Sequence, residues 1–206
     1  YILCIMFSVI NISFMCNNGF KNKCIISFSN DFSNELVIKT NKNTGAIKIY
    51  RNQKFFLFAK EKEQLDYELD GKIKKQWLTN DVCGITYKDK NGILQEYVVT
   101  YGDRGNGISY YYVTSALIGD WQVFTQYGNP TQMLVDSKGI TIKKNEKSEL
   151  FTYENCKQYG TTALVLYKND IPKYIIALDK NCEIDEKTYI IKKGGTIILS
   201  EISMDK

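Results

Sequence analysis

An all-β fold of antiparallel meanders, forming two packed β modules behind an N-terminal apolar helix, is what three observations on this 206-residue sequence predict. From residue 36 onward, short β-branched and aromatic runs alternate with clusters of Asn, Gly, Asp and Lys at intervals of about 8 to 12 residues, the spacing of a sandwich, barrel or propeller. No convincing helical stretch interrupts that series. Composition is the third observation: 44% hydrophobic and 13% aromatic residues are ample for a core. Only two prolines occur, Pro130 and Pro172, and no Ser/Gly-rich or Pro-rich run marks a flexible linker, so the two modules are expected to pack against one another.

Residues 1–16, YILCIMFSVINISFMC, carry no charge, and the first charged side chain is Lys21. That length suits a signal-peptide core or a slightly short membrane span, and it exceeds the run of roughly four to eight residues usual for a buried strand. Residues 1–23 are therefore expected to be a signal peptide or membrane anchor, making the protein exported, on the outer face of a cell membrane or secreted. Lys21 and Lys23 are the one group placed to meet anionic headgroups. Cys16 would be the site of lipidation only if bulky Phe14 and Met15 served in a lipobox, where small residues are wanted.

The N-terminal β module is expected over 24–115, with strand runs at 36–40, 46–51, 54–60, 65–69, 72–78, 82–88, 93–100 and 108–115. Asp70-Gly71 is a two-residue hairpin signal, and Asp89-Lys90-Asn91-Gly92 a longer one. The C-terminal module, over 116–206, carries runs at 121–126, 132–136, 140–144, 149–153, 162–167, 173–178, 188–192 and 196–202.

Late in the N-terminal module, just before its last run, lies Tyr101-Gly102-Asp103-Arg104-Gly105-Asn106-Gly107, three glycines opening onto an aromatic run. Charge, glycine and aromatic residues converge only here. Arg104 is suited to fork onto a carboxylate or phosphate, with Asp103 beside it and Tyr101, Tyr110 and Tyr112 stacking on a sugar or another planar group. The plainer reading is an arginine that pins a tight loop beside core tyrosines.

The chain contains no histidine. Ser-His, Cys-His and His-metal catalysis are thereby excluded, and neither a metal site nor a cofactor is indicated, since no Walker A lysine, dinucleotide fingerprint, EF-hand or nucleophile elbow occurs. Carboxylates remain as general acids. Asp81, Asp103 and Glu96 fall on neighbouring β segments, the material of a two-carboxylate glycosidase, although turn-capping and solvent-facing roles account for such residues more often. The net charge of +4 arises before residue 116, where 15 Lys and Arg face 11 Asp and Glu, and it is too dispersed for a nucleic-acid surface.

Six cysteines, at 4, 16, 24, 83, 156 and 182, include no C-x-x-C pair. For an exported chain, Cys156 and Cys182, both in polar turns flanking one group of strands, are the best disulfide candidates; a bridge there would add about 3 kcal/mol. Cys83 alternates with apolar residues and reads as a small buried hydrophobe. Six free thiols, in a Lys/Asn-rich, Pro-poor chain with the composition of a low-GC bacterium, are the alternative.

Two resemblances bear on architecture. The stretch Trp77-Leu78-Thr79-Asn80-Asp81-Val82-Cys83-Gly84-Ile85-Thr86-Tyr87, followed by the Asn91-Gly92 turn and another strand, resembles a β-propeller blade, implying blade-like four-stranded sheets in about 36–115. Gly119-Asp120-Trp121 resembles the G-x-W start of calycin barrels of the lipocalin type, implying a small barrel whose floor the tryptophan closes; the last strand lacks the arginine that commonly packs on it.

The leading expectation is thus a non-catalytic extracytoplasmic bacterial protein, membrane-anchored or secreted, whose β modules bind a protein partner or an envelope glycan and no nucleic acid. The alternatives are a small-molecule carrier or sensor using the C-terminal barrel and a carboxylate-dependent enzyme acting on glycans.

Overall fold

The computed structural model describes residues 21–52, 60–102, 111–125, 130–144, 147–185, 187–192 and 195–204. Of the expected apolar segment 1–23, residues 1–20 lie outside the described residues, whereas Asn22 and Lys23 belong to the first strand, and among the described residues no helix is long and apolar enough to cross a membrane. The chain is mostly β and its pairing almost wholly antiparallel.

Four strands, β1 (Asn22–Phe28), β2 (Glu35–Asn41), β3 (Ile47–Asn52) and β4 (Lys60–Gln64), form one meander sheet. Three more, β5 (Leu69–Thr79), β6 (Val82–Asp89) and β7 (Leu94–Thr100), form a second. Strand β2 shows how sequence dictates this: Leu36, Ile38 and Thr40 are buried and alternate with the more exposed Glu35, Val37, Lys39 and Asn41, the period of a sheet with one covered face. Strand β6, by contrast, is buried along nearly its whole length. It is the central strand of a sheet covered on both sides.

The remaining strands, β8 (Gly119–Thr125), β9 (Pro130–Asp136), β10 (Gly139–Lys144), β11 (Lys147–Phe151), β12 (Cys156–Tyr159), β13 (Ala163–Lys168), β14 (Ile171–Leu178) and β15 (Ile197–Glu201), make one eight-stranded, nearly closed, barrel-like sheet. Its order is β11-β10-β9-β8-β15-β14-β13-β12, and β15 pairs with β8 in parallel. Three antiparallel steps on either side of that parallel pair leave β11 and β12 running in the same direction. The 3-10 turn Tyr153–Asn155 between them is therefore a kink in a continuing path rather than a hairpin. Lys168 on β13 reaches Glu149 on β11 (2.5 Å), and Phe151 meets Tyr174 edge-on, so side chains span the gap between the edges. An up-and-down calycin barrel closes through antiparallel neighbours throughout; the parallel β15–β8 pair departs from that pattern.

Three apolar clusters stack through the molecule. One fills the eight-stranded sheet, with Leu117, Val123, Met133, Ile140, Phe151, Leu166 and Ile176 essentially inaccessible. A second, including Ile38, Ile49, Cys83 and Ile85, lies between the first two sheets. A third, with Val82 and Val98 against Val165, Ile175 and Ala177, joins the second sheet to the outer face of β12–β15. Strand β13 is apolar at four successive positions because both its faces are covered.

Polar ties reinforce the stack. Ser27 Oγ accepts from Lys75 Nζ (2.8 Å) and Trp77 Nε1 (3.0 Å), binding β1 to β5, and Lys74 Nζ donates to the Ser203 carbonyl (2.6 Å).

Several expectations need correction. Asp70-Gly71 is no hairpin: both residues lie within β5, where the register against β6 shifts between Asp70 and Ile73 and Gly71 takes a φ of +86°. The dipeptide supplies a bulge, which needs the same left-handed backbone a turn needs. Residues 65–68 are non-strand linker, and the run at 108–115 ends not as a strand but as a short helix, α1 (Val113–Ala116). Gln158 imposes this change: its Oε1 accepts from Val113 N (2.8 Å) and its Nε2 donates to the Tyr111 carbonyl (2.9 Å). Residues 188–192 form only an isolated bridge, Ile184 to Ile191, because Asp185 caps a turn by accepting from Lys187 and Thr188. The segment read as a polar turn around Cys156 is instead β12.

Candidate functional site

The sequence-derived loop site is only partly visible. Asp103, Arg104 and Tyr110 lie outside the described residues. Tyr101 is half-buried, stacks near Trp77 (5.8 Å between ring centroids) and donates its hydroxyl to the Glu35 carbonyl (2.6 Å), which ties the end of β7 to β2. Tyr112 is 67% exposed. Cys156 and Cys182 are not joined in a disulfide, and each thiol donates to a backbone carbonyl, of Thr152 and Thr196 respectively. Cys83 is buried among apolar side chains, and that burial pushes its thiol up to about 12. Burial likewise pushes the Cys156 thiol up to about 11, so neither is a reactive thiolate near neutral pH.

Of the three candidate carboxylates, Asp103 lies outside the described residues, and Asp81 and Glu96 are not brought together. Asp81 accepts from Thr79 Oγ1 (2.7 Å) in the β5–β6 turn, whereas Glu96 sits opposite Thr86, five residues further along the hairpin. At about 3.3 Å per residue the two are roughly 16 Å apart, well beyond the ~5–9.5 Å of glycosidase pairs.

What the fold does assemble is a cleft of about 490 Å³ where all three sheets meet. This volume falls in the range of about 300–1,000 Å³ typical of small-ligand sites. Its walls are tyrosine and carboxylate. Tyr67 comes from the β4–β5 linker, Tyr87 from β6, Tyr97 from β7, Tyr159 from β12 and Tyr167 from β13. Glu63, Asp66, Asp89, Glu96 and Asp170 supply acid, and Lys157 is the one basic lining residue.

Each group is held by local chemistry. Tyr97 and Tyr159 meet edge to face at 5.4 Å, across the junction of two sheets. Tyr97 donates its hydroxyl to Glu63, and Tyr159 donates to the Glu96 carbonyl (3.1 Å). Burial pushes the hydroxyls of Tyr87, Tyr97, Tyr159 and Tyr167 up, leaving them neutral hydrogen-bonding groups. Asp89 folds back on its own turn, accepting from Asn91 N (2.9 Å), Ile93 N (3.0 Å) and Gln95 Nε2 (3.0 Å). Burial pushes its carboxyl up, but those hydrogen bonds outweigh it and hold the group below the usual range. Asp170 stands in the two-residue turn between β13 and β14, where Asn169 and Asp170 both adopt positive φ, the geometry of a type I′ hairpin.

Glu96 is the unusual member. Only 6% exposed, it accepts from Thr86 Oγ1 (2.6 Å) through Oε2, while Oε1 has no hydrogen-bond partner. Burial pushes its carboxyl up to about 8, against the Thr86 hydroxyl, the Ile85 amide and Lys74, so it is mostly protonated at neutral pH. The sheets approach so closely there that a Cβ on Gly84 would stand 2.7 Å from Ile175 Cδ1 and 2.9 Å from Glu96 Oε1.

Sequence reasoning singled out only Glu96 among these residues. The other cleft residues come from segments up to a hundred positions apart, and only the Asn169-Asp170 turn signal and the tyrosine content of β6, β7, β12 and β13 were there to be read. Fold and cleft together define an all-β protein with an aromatic, acidic pocket at an intersheet seam. No family model, curated protein or solved structure matches the chain.

Proposed function

We propose that this is a non-catalytic, extracytoplasmic bacterial protein, held at or released from a membrane, that binds a partner or envelope component through the tyrosine-lined cleft. The observation that carries the reading is the convergence of five tyrosines, from two sheets and the β4–β5 linker, on one concavity of about 490 Å³. Aromatic faces beside hydrogen-bonding groups are what binding sites offer; a reaction would in addition need a positioned nucleophile or acid–base pair, and of the cleft acids Asp89 caps a turn, Glu63 accepts from Tyr97 and Glu96 is buried and neutral, while Asp66 and Asp170 are exposed. Export rests on the uncharged run 1–20. The carrier alternative finds less support, since the interior of the eight-stranded sheet is filled by its own side chains.

The test is retention of solubilised envelope material by the immobilised protein. Tyr67 lines the cleft yet is 52% exposed, so Tyr67→Ala leaves the fold intact. The reading expects wild type and Tyr112→Ala to retain the same component and Tyr67→Ala to lose it. If Tyr112→Ala loses it and Tyr67→Ala keeps it, binding belongs to the glycine loop and the cleft reading is wrong.

A further inference from the structure

We infer that the ligand of this cleft presents an organic ammonium group, of the polyamine or alkylammonium class, rather than a neutral sugar or an anion. The inference rests on the proposed binding role and adds the chemistry of the ligand. Its first support is a local reversal of charge. The whole chain carries +4, yet the cleft walls hold four carboxylates, besides the neutral Glu96, against Lys157 alone. Anions are repelled there, and a cation gains from each acid whose charge is incompletely screened.

The second support is the ring geometry. Lys157 Nζ lies 5.3 Å from the centroid of Tyr159, so the chain already places one ammonium on a cleft ring. That contact shows which charge the wall accepts, because tyrosine rings present negative faces to cations. Glu96 is the third: it lines the cleft, more than nine-tenths buried and with Oε1 unpartnered, and although neutral at pH 7 without a ligand it would ionise beside a bound ammonium and become its counter-ion. Exposed Asp66 and Asp170 stand at the rim, where a second ammonium on a flexible alkyl chain would meet them.

Lys157 makes the inference separable from a general preference for small polar ligands. It competes for Tyr159 and repels any incoming cation, so Lys157→Met should strengthen ammonium binding while doing nothing for a neutral sugar.

Calorimetric titration of the full chain with spermidine, and separately with a neutral chitin trisaccharide, tests this. Expected are saturable spermidine binding that weakens about tenfold or more from low to physiological salt, a further loss of about tenfold in Asp66→Asn/Asp170→Asn, and a several-fold gain in Lys157→Met. Both substitutions are at the surface, and an unchanged melting temperature verifies the fold. If the trisaccharide binds and spermidine does not, the ammonium assignment is overturned and the cleft's binding role stands. If neither binds, both fall. Spermidine binding indifferent to all three substitutions also overturns the assignment, because the cation then sits elsewhere.

Discussion

The eight-stranded sheet and the two smaller sheets bury their apolar residues in different ways. The large sheet wraps its own core, with nearly every inward residue apolar and inaccessible. The three-stranded sheet has no interior of its own; β6 and β7 are apolar on both faces because one face lies on β1–β4 and the other on β12–β15. The self-contained sheet admits an inward hydroxyl, Thr131 on β9, whereas the dependent one carries a carboxyl, Glu96, together with Thr86 into its contact with β14. This buried carboxyl falls at the seam between sheets, and the cleft opens at that same seam.

The largest effect that would sharpen this contrast is on pH dependence. Glu96 holds its proton up to about 8 in the folded protein, against about 4.5 for a solvent-exposed glutamate. Folding therefore favours the protonated form: the stabilisation is fully present below about pH 4.5, falls as the unfolded chain ionises and is lost by about pH 8, amounting to on the order of 5 kcal/mol. Glu96→Gln should remove this slope. A chemical-denaturation series across pH 4.5–8 checks it, and equal slopes in variant and wild type would mean that the seam admits water. Asp31, Asp89 and Asp185, whose carboxyls are held low by hydrogen bonds, act in the opposite sense and below this window.

In the self-contained sheet, Phe151→Ala should cost about 4 kcal/mol, as for other buried aromatics, with no change in pH slope; Phe151 is 1% exposed and meets Tyr174 edge-on. Denaturant midpoints measure it, and a loss under about 1 kcal/mol would show a core that collapses easily. Gly84→Ala, smaller in volume but placed at the seam, should cost about 1–3 kcal/mol through overpacking against Ile175. If it proves neutral, the two sheets are not in close contact there. The smallest effect belongs to Lys144→Ala, which breaks an exposed pair with Glu201 at 2.9 Å and should shift stability by less than about 1 kcal/mol.

The sequence was informative where local chemistry decides structure. Alternation in β2, the Asp89–Gly92 turn and the β-branched runs of β9, β10 and β13 could be read directly, and so could an all-β class. What failed failed for tertiary reasons. Asp70-Gly71 carries a real left-handed signal that a bulge uses as well as a turn does. Cys156–Tyr159 reads as polar because β12 is an edge strand with an exposed face, and the helix at Val113 depends on Gln158, some 45 residues away. The cleft was nearly invisible because it belongs to no segment: Tyr67, Tyr97 and Tyr159 meet only after three sheets have stacked.

The central claim is that this seam is closed and dry around Glu96 with the cleft beside it. Following the Glu96 side-chain carboxyl by nuclear magnetic resonance in the full chain as pH is raised tests that most directly. The account predicts a protonated group at neutral pH and a midpoint near 8. A midpoint near 4.5, that of a solvent-exposed glutamate, would contradict it, because the carboxyl would then be solvated and the sheets apart.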